Sequence, residues 1–296
     1  MPSRPPGGRM NLDLLPQFVF NGLMSGMVYL LIAFGISLIF GMMDFINFAH
    51  GTFYALGAYL AWTITTHLGN FWLALLIGPL AVALLAMLVE TSLLRRLHGL
   101  HHTLQLLLTF GVAVMMQELI IIIWGPIGKP VSVPPILAGQ VNLGFTVYPV
   151  YRVCLVAFVA LVAFALWYGL EKTKMGSLIR AGTERPEMVN ALGINVFRLF
   201  TAVFTLGGFL AGLAGVLAAP LVGINAYMGL DIIVVAFVVV VVGGMGSFAG
   251  AIVGGLLVGV VQSLTGLYWP EATDMMVFIV MAVVLIARPQ GLLGRA

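Results

Sequence analysis

Long apolar runs, broken by short clusters of glycine, proline and charge, fill the chain from about residue 17 onwards. They do not alternate with a period of two, so the predicted elements are helices and not the strands of a barrel. A helix needs about 20 mostly apolar residues to cross a bilayer. Runs of about that length fall at 17–41, 49–66, 71–94, 103–124, 149–170, 199–222 and 250–268, with shorter stretches at 231–242 and 273–288. The pattern predicts an all-α polytopic membrane protein with about 8–9 transmembrane helices.

Composition supports that reading. Of 296 residues 61% are hydrophobic and 8% charged, against about 25% charged in a soluble domain. A globule of this size could not hide so much apolar surface from water, so lipid is the solvent. Thirteen Lys and Arg against ten Asp and Glu give a net charge of +3; with no basic stripe, this fits loops facing anionic lipid and not a nucleic-acid surface. Cys154 is the one cysteine, so no disulfide can form within the chain. Residues 1–16 read as a flexible N-terminal tail leading into a retained helix, without the cleavage-site pattern of a signal peptide.

Cations set the expected orientation. Arg95 and Arg96, with His98, His101 and His102, mark one loop as cytoplasmic; Lys172, Lys174, Arg180, Arg185 and Arg198 mark the loop 171–198 the same way. The segment 125–148, with Lys129, then faces the other side. Continuing the alternation puts Trp269, Pro270 and Glu271 outside, and Arg288 and Arg295 inside. Counting back puts the N-terminus outside, whereas Arg4 and Arg9 argue for inside; the simplest resolution is that one of the first two segments crosses incompletely.

Two stretches interrupt helical pattern within apolar sequence: Gly41 to Gly51, which contains Asp44, Asn47 and His50, and Gly243 to Gly250, which contains Gly244, Gly246 and Ser247. Irregular backbone at membrane depth must face protein or a watery cavity, so such breaks mark a transport path. Phe48-Ala49-His50-Gly51 and Phe248-Ala249-Gly250-Ala251 each close a break and open a glycine-rich helix, a weak internal repeat of the kind found in transporters. The expected pathway residues are Asn47, His50, Gly51, Gly243, Gly244, Gly246, Ser247 and Gln262. Glu118 joins them as the ionisable group nearest a span centre; it reads either as a relay or as a hydrogen-bonded group inside the bundle.

No ATP site is encoded. The string nearest to a P-loop, Gly125-Pro126-Ile127-Gly128-Lys129-Pro130, has Pro where Ser or Thr must follow Lys. His98, His101 and His102 could share a metal on one helical face, or simply form a titratable loop end. In the loop 171–198, Thr183 can cap a helix over 184–192 whose first turn holds Glu184, Pro186 and Glu187, with Gly193 as its stop. Met188, Ala191 and Leu192 share one side of that helix. This apolar patch suits a partner's groove or the lipid surface.

Asp44-Phe45-Ile46-Asn47-Phe48-Ala49-His50-Gly51, the loop Arg180 to Asn195, Gly207-Gly208-Phe209-Leu210-Ala211-Gly212-Leu213-Ala214-Gly215 and Gly243-Gly244-Met245-Gly246-Ser247 together resemble the membrane permeases of high-affinity branched-chain amino acid ABC importers. The resemblance runs from about residue 17 to 291. It implies a single transmembrane permease domain, 17–291, with the coupling loop 171–198 inside it and a C-terminal tail at 292–296. It further implies a second homologous permease subunit, two cytoplasmic ATPase subunits that carry the ATP and Mg, a periplasmic solute-binding protein, and no cofactor bound by this chain. The helix at 184–192 resembles the ATPase-coupling element, with Arg180, Glu184, Glu187, Met188, Ala191, Leu192 and Gly193 as its residues; Gly182 and Pro186 stand where more helix-compatible residues are expected. Such permeases sit in the bacterial inner membrane, with this loop and the C-terminus in the cytoplasm, and they are transport subunits, not enzymes. Related permeases carry urea or short amides, and an ion-coupled secondary transporter is the other alternative.

Overall fold

The computed structural model describes residues 15–142, 147–184 and 186–294. The rest of the predicted N-terminal tail with Arg4 and Arg9, as well as Arg185 and Arg295, lie outside the described residues, as do the side chains of Glu184 and Pro186. The helices are α1 (Leu15–Met43), α2 (Ala49–Leu68), α3 (Phe71–Ser92), α4 (His102–Trp124), α5 (Val150–Lys172), α6 (Lys174–Glu184), α7 (Pro186–Ala191), α8 (Val196–Val222), α9 (Met228–Gly243), α10 (Phe248–Tyr268) and α11 (Thr273–Ala287). A small antiparallel ribbon, β1 (Gln140–Asn142) and β2 (Val147–Pro149), pairs Val141 with Tyr148.

Seven of the described helical segments are long and apolar enough to cross a membrane. They correspond to the expected spans except two. The segment expected at 49–66 forms α2, which is long enough but carries His50, Thr52, Thr63, Thr65, Thr66 and His67. The stretch 231–242 lies in α9, an apolar helix of 16 residues, about 24 Å long at 1.5 Å per residue.

Polar caps set several of the helix starts. Asn70 Oδ1 accepts from Trp72 N and Leu73 N at the start of α3, and Asn195 Oδ1 accepts from Arg198 N at the start of α8. The centre of the bundle is α1 with α8. Antiparallel to α1 lies α10, so close that a Cβ added to Gly22 would stand 2.5 Å from Val260 Cα, and one on Gly259 would stand 2.4 Å from Gly26 N. Small residues permit that approach, which lipid alone would not drive. The outer helices show their apolar sides: Ile122 on α4, Leu161 on α5 and Ile286 on α11 are more than half exposed, as suits lipid or a neighbouring subunit.

The two ends of the bundle are distinct. At the ribbon end, Lys129 and Ile224 exchange backbone hydrogen bonds of 2.9 and 3.1 Å, and Tyr148 Oη donates to Asn21 Oδ1 at 2.5 Å. At the loop end, Gly182 of α6 packs on Met42 and Leu199. Helix α1 therefore starts at the end opposite the 171–198 loop, as the count of crossings expects. Helix α2 starts inside the bundle: the His50 ring abuts Gly35, with Gly207 beside them, and Gly35 is about 12 Å short of the end of α1.

Candidate functional site

At the first break, Asp44 takes a φ of 54°, a conformation few side-chain-bearing residues adopt. Asn47 then turns the chain into α2: its Oδ1 accepts from Ala49 N at 3.1 Å and its carbonyl from His50 N at 3.2 Å. Asn47 and His50 are buried, at 1% and 0% exposure, and Asn47 Nδ2 has no hydrogen-bond partner among the described residues. At the second break, Gly244 and Gly246 take φ of 108° and 74°, and Ser247 Oγ caps α10 by accepting from Gly250 N at 3.0 Å. The two breaks adjoin. Gly41 stacks on Gly246, and Ser37 Oγ donates to the Ser247 carbonyl at 3.4 Å.

The second break is also covered. Leu292 N and Leu293 N each donate at 2.9 Å, to the carbonyls of Val242 and Gly243, so residues assigned by sequence to a tail close the last turn of α9. Gly294 lies so near Gly244 that a Cβ there would meet its nitrogen at 2.4 Å.

Toward the ribbon end, a cavity of about 710 Å³ opens among α1, α5, α8, α9, α10 and α11. Its polar lining includes Asn21, Tyr29, Arg152, Asp231, Gln262 and Asp274. Tyr29 Oη donates to Gln262 Oε1 at 2.5 Å, and Arg152 Nη1 donates to Asn21 Oδ1 at 2.8 Å. Of the pathway residues read from sequence, Gln262 lines this cavity. Asn47, His50, Gly243, Gly244, Gly246 and Ser247 pack in and around the breaks, toward the loop end. Gly51 stands behind the cavity: it crosses α9 at Gly229, where a Cβ on Gly51 would come within 2.1 Å of the Gly229 carbonyl. Glu118 is exposed on the outer face of α4 beside Leu119 and Ile122. It is not the interior group expected, because the bundle side of that turn is taken by its neighbour Gln117, 8% exposed.

In the loop 171–198 the helix begins earlier than expected. Thr183 is no cap; its Oγ1 donates back to the Ile179 carbonyl within α6. Helix α7 restarts at Pro186, a residue that cannot donate a backbone hydrogen bond and suits a first turn. Gly193 ends it with φ of 81°, and Ile194 N closes back on the Val189 carbonyl at 3.3 Å. Val189 is buried at 3%, while Met188 and Leu192 are 57% and 79% exposed, and Glu187 and Ala191 are exposed too. Arg180 holds α6 against the end of α5, donating to the Leu170 carbonyl and standing 3.6 Å from Glu171.

Beside this loop, Glu90 is buried at 0% exposure; Thr201 Oγ1 donates to it at 2.6 Å, with Arg95 at 3.9 Å and His98 at 3.8 Å. The His98 ring lies between Phe197 and Phe200, and burial, with Arg95 nearby, lowers its pKa from 6.5 to about 4. His101 instead starts α4 by accepting from Thr103 N, so the three histidines do not converge.

A family profile described as "Branched-chain amino acid transport system / permease component" matches residues 18–286. The chain belongs to this family. The permease is 30% identical over 297 residues to the high-affinity branched-chain amino acid transport system permease protein LivH of Escherichia coli, covering 94% of this chain and 95% of that one. It is 27% identical over 293 residues to LivM, named as a permease protein of the same system in E. coli, covering 90% and 68%. The fold is like that of a solved chain in PsaBC from Streptococcus pneumoniae in complex with Fab, with a TM-score of 0.50, 12% identity and 93% of each chain covered.

This permease is thus a multi-pass membrane subunit of an ABC importer. Sequence reading missed the charged lining of the cavity. Arg152, Asp231 and Asp274 sit near the starts of three different helices, where each looks like an ordinary interfacial charge; only the fold brings them to one space. The signal available in the sequence was that all three fall at the same end of an alternating bundle.

Proposed function

We propose that this permease forms half of the translocation pathway of a binding-protein-dependent importer for branched-chain amino acids, moved by partner ATPases through α7. The observation that carries the reading is the build of the 171–198 loop. Val189 anchors α7 inward while Leu192 stands 79% exposed, and α6, which precedes it, rests on the end of α1 beside the first break. A push on α7 therefore reaches the breaks through packed side chains.

The cations Lys172, Lys174, Arg180 and Arg198 support a loop end in the cytoplasm and a cavity end outside. The ATPases then act from the side opposite the cavity, which receives solute from a periplasmic binding protein. Likeness to both LivH and LivM supports pairing with a second homologous permease through the exposed outer helices. Since Glu118 faces away from the cavity, drive from outside the chain is favoured over an ion relay. In the assembled complex, leucine-loaded binding protein is expected to raise ATP hydrolysis several-fold over the unloaded form; an equal rate with both would overturn the proposal.

A further inference from the structure

We infer that the cavity is a recognition station for α-amino acid zwitterions, with Asp231 and Asp274 receiving the ammonium group and Arg152 the carboxylate. This deepens the function proposed above and rests on it. Three charged side chains from three helices line one space. Neither aspartate carboxylate makes an ion pair or hydrogen bond among the described residues. Both are exposed to the cavity side. Arg152 is engaged by Asn21 and by the Tyr148 hydroxyl; a guanidinium has five donors, so it can still grip a carboxylate.

First-turn placement explains why α9 and α11 tolerate Asp231 and Asp274. It does not explain why both share a cavity with a cation from α5. Much of the remaining wall is aliphatic, with Val28, Val222, Ile232, Val235 and Val277, beside Tyr54, Phe278 and the polar Ser25 and Asn225. That wall suits a branched side chain, and the volume falls within the about 300–1,000 Å³ usual for small-ligand sites.

Charge accounting separates candidate solutes. A zwitterion pairs both signs of charge at once. Urea or a neutral amide can hydrogen-bond to these groups but neutralises none of the three charges, so it gains less from the site than a zwitterion does. A carboxylic acid without an ammonium group would meet two carboxylates against one guanidinium. The station therefore selects α-amino acids over urea and short amides, holding them loosely enough to release.

Saturation-transfer NMR on the complete permease–ATPase complex in nanodiscs, without binding protein, tests this. Leucine should give a signal that isocaproamide, isocaproate and urea at equal concentration do not. The double variant Asp231→Asn, Asp274→Asn should weaken leucine binding about ten-fold or more, and Asp231→Glu, Asp274→Glu should restore much of it. Co-purification with the partner subunits and the unfolding midpoint establish that each variant is assembled. An unchanged leucine signal in an assembled double-Asn variant, or isocaproamide binding as well as leucine, overturns the station. The ATPase assay with leucine-loaded binding protein, run on the wild-type complex, fails only if the underlying reading is wrong, so the two failures are distinguishable.

Discussion

Gly51 and Gly111 differ in what a methyl group would meet. At Gly51 a Cβ would stand 2.1 Å from the Gly229 carbonyl, whereas at Gly111 nothing lies within 4 Å. Gly51→Ala is therefore expected to lower the unfolding midpoint, with a cost of about 1–3 kcal/mol from overpacking. Gly111→Ala should leave it unchanged or raise it, since alanine is the better helix former by about 1 kcal/mol. His98 gives a second residue-level outcome. Its pKa is about 4 in the fold, against 6.5 ordinarily. Above 6.5 the ring is neutral folded or unfolded and pH has no leverage. Between 6.5 and about 4 the unfolded chain takes up a proton that the folded one refuses, so stability falls as pH falls, by up to about 1.4 kcal/mol per pH unit. Below 4 the loss levels off. An unfolding series over this range should show the slope in the wild type and a flatter line in His98→Gln. Neither feature was legible in the sequence: crossing partners such as Gly51 and Gly229 are far apart in the chain, and His98 read as one of three loop histidines.

At the scale of elements, the apolar runs revealed nearly every helix, because lipid demands length and apolarity together. The starts were less legible. Thr183 satisfies the rule for a cap, yet the preceding Lys174–Glu184 stretch is itself helical, and a threonine serves equally well by bonding back to Ile179. The closure of α9 by Leu292 and Leu293 uses backbone groups alone, which no side-chain pattern announces. Helix α7 carries the element-level prediction. Leu192 is 79% exposed and Val189 3% exposed. Leu192→Asp should insert and unfold like the wild type while uptake drops about ten-fold or more, by loss of apolar docking. Val189→Asp should instead lower the unfolding midpoint, because it buries an unpaired carboxylate. Radiolabelled uptake, measured beside the unfolding midpoint, separates the two.

For the molecule as a whole, the division of labour follows from the placement of its parts. A charged cavity lies at one end, the short helix α7 with its exposed Leu192 at the other, and two adjoining breaks in the helical backbone lie toward the second. Glycine-lined contacts between α1 and α10 let packed helices shift without opening large voids. On the function proposed above, the drive comes from outside the chain. The direct measurement is leucine uptake into proteoliposomes, comparing this chain alone under a proton or sodium gradient with the full complex supplied with ATP and binding protein. Uptake is expected with the complex and none with the chain alone; leucine accumulation by the isolated chain under an ion gradient would contradict external drive.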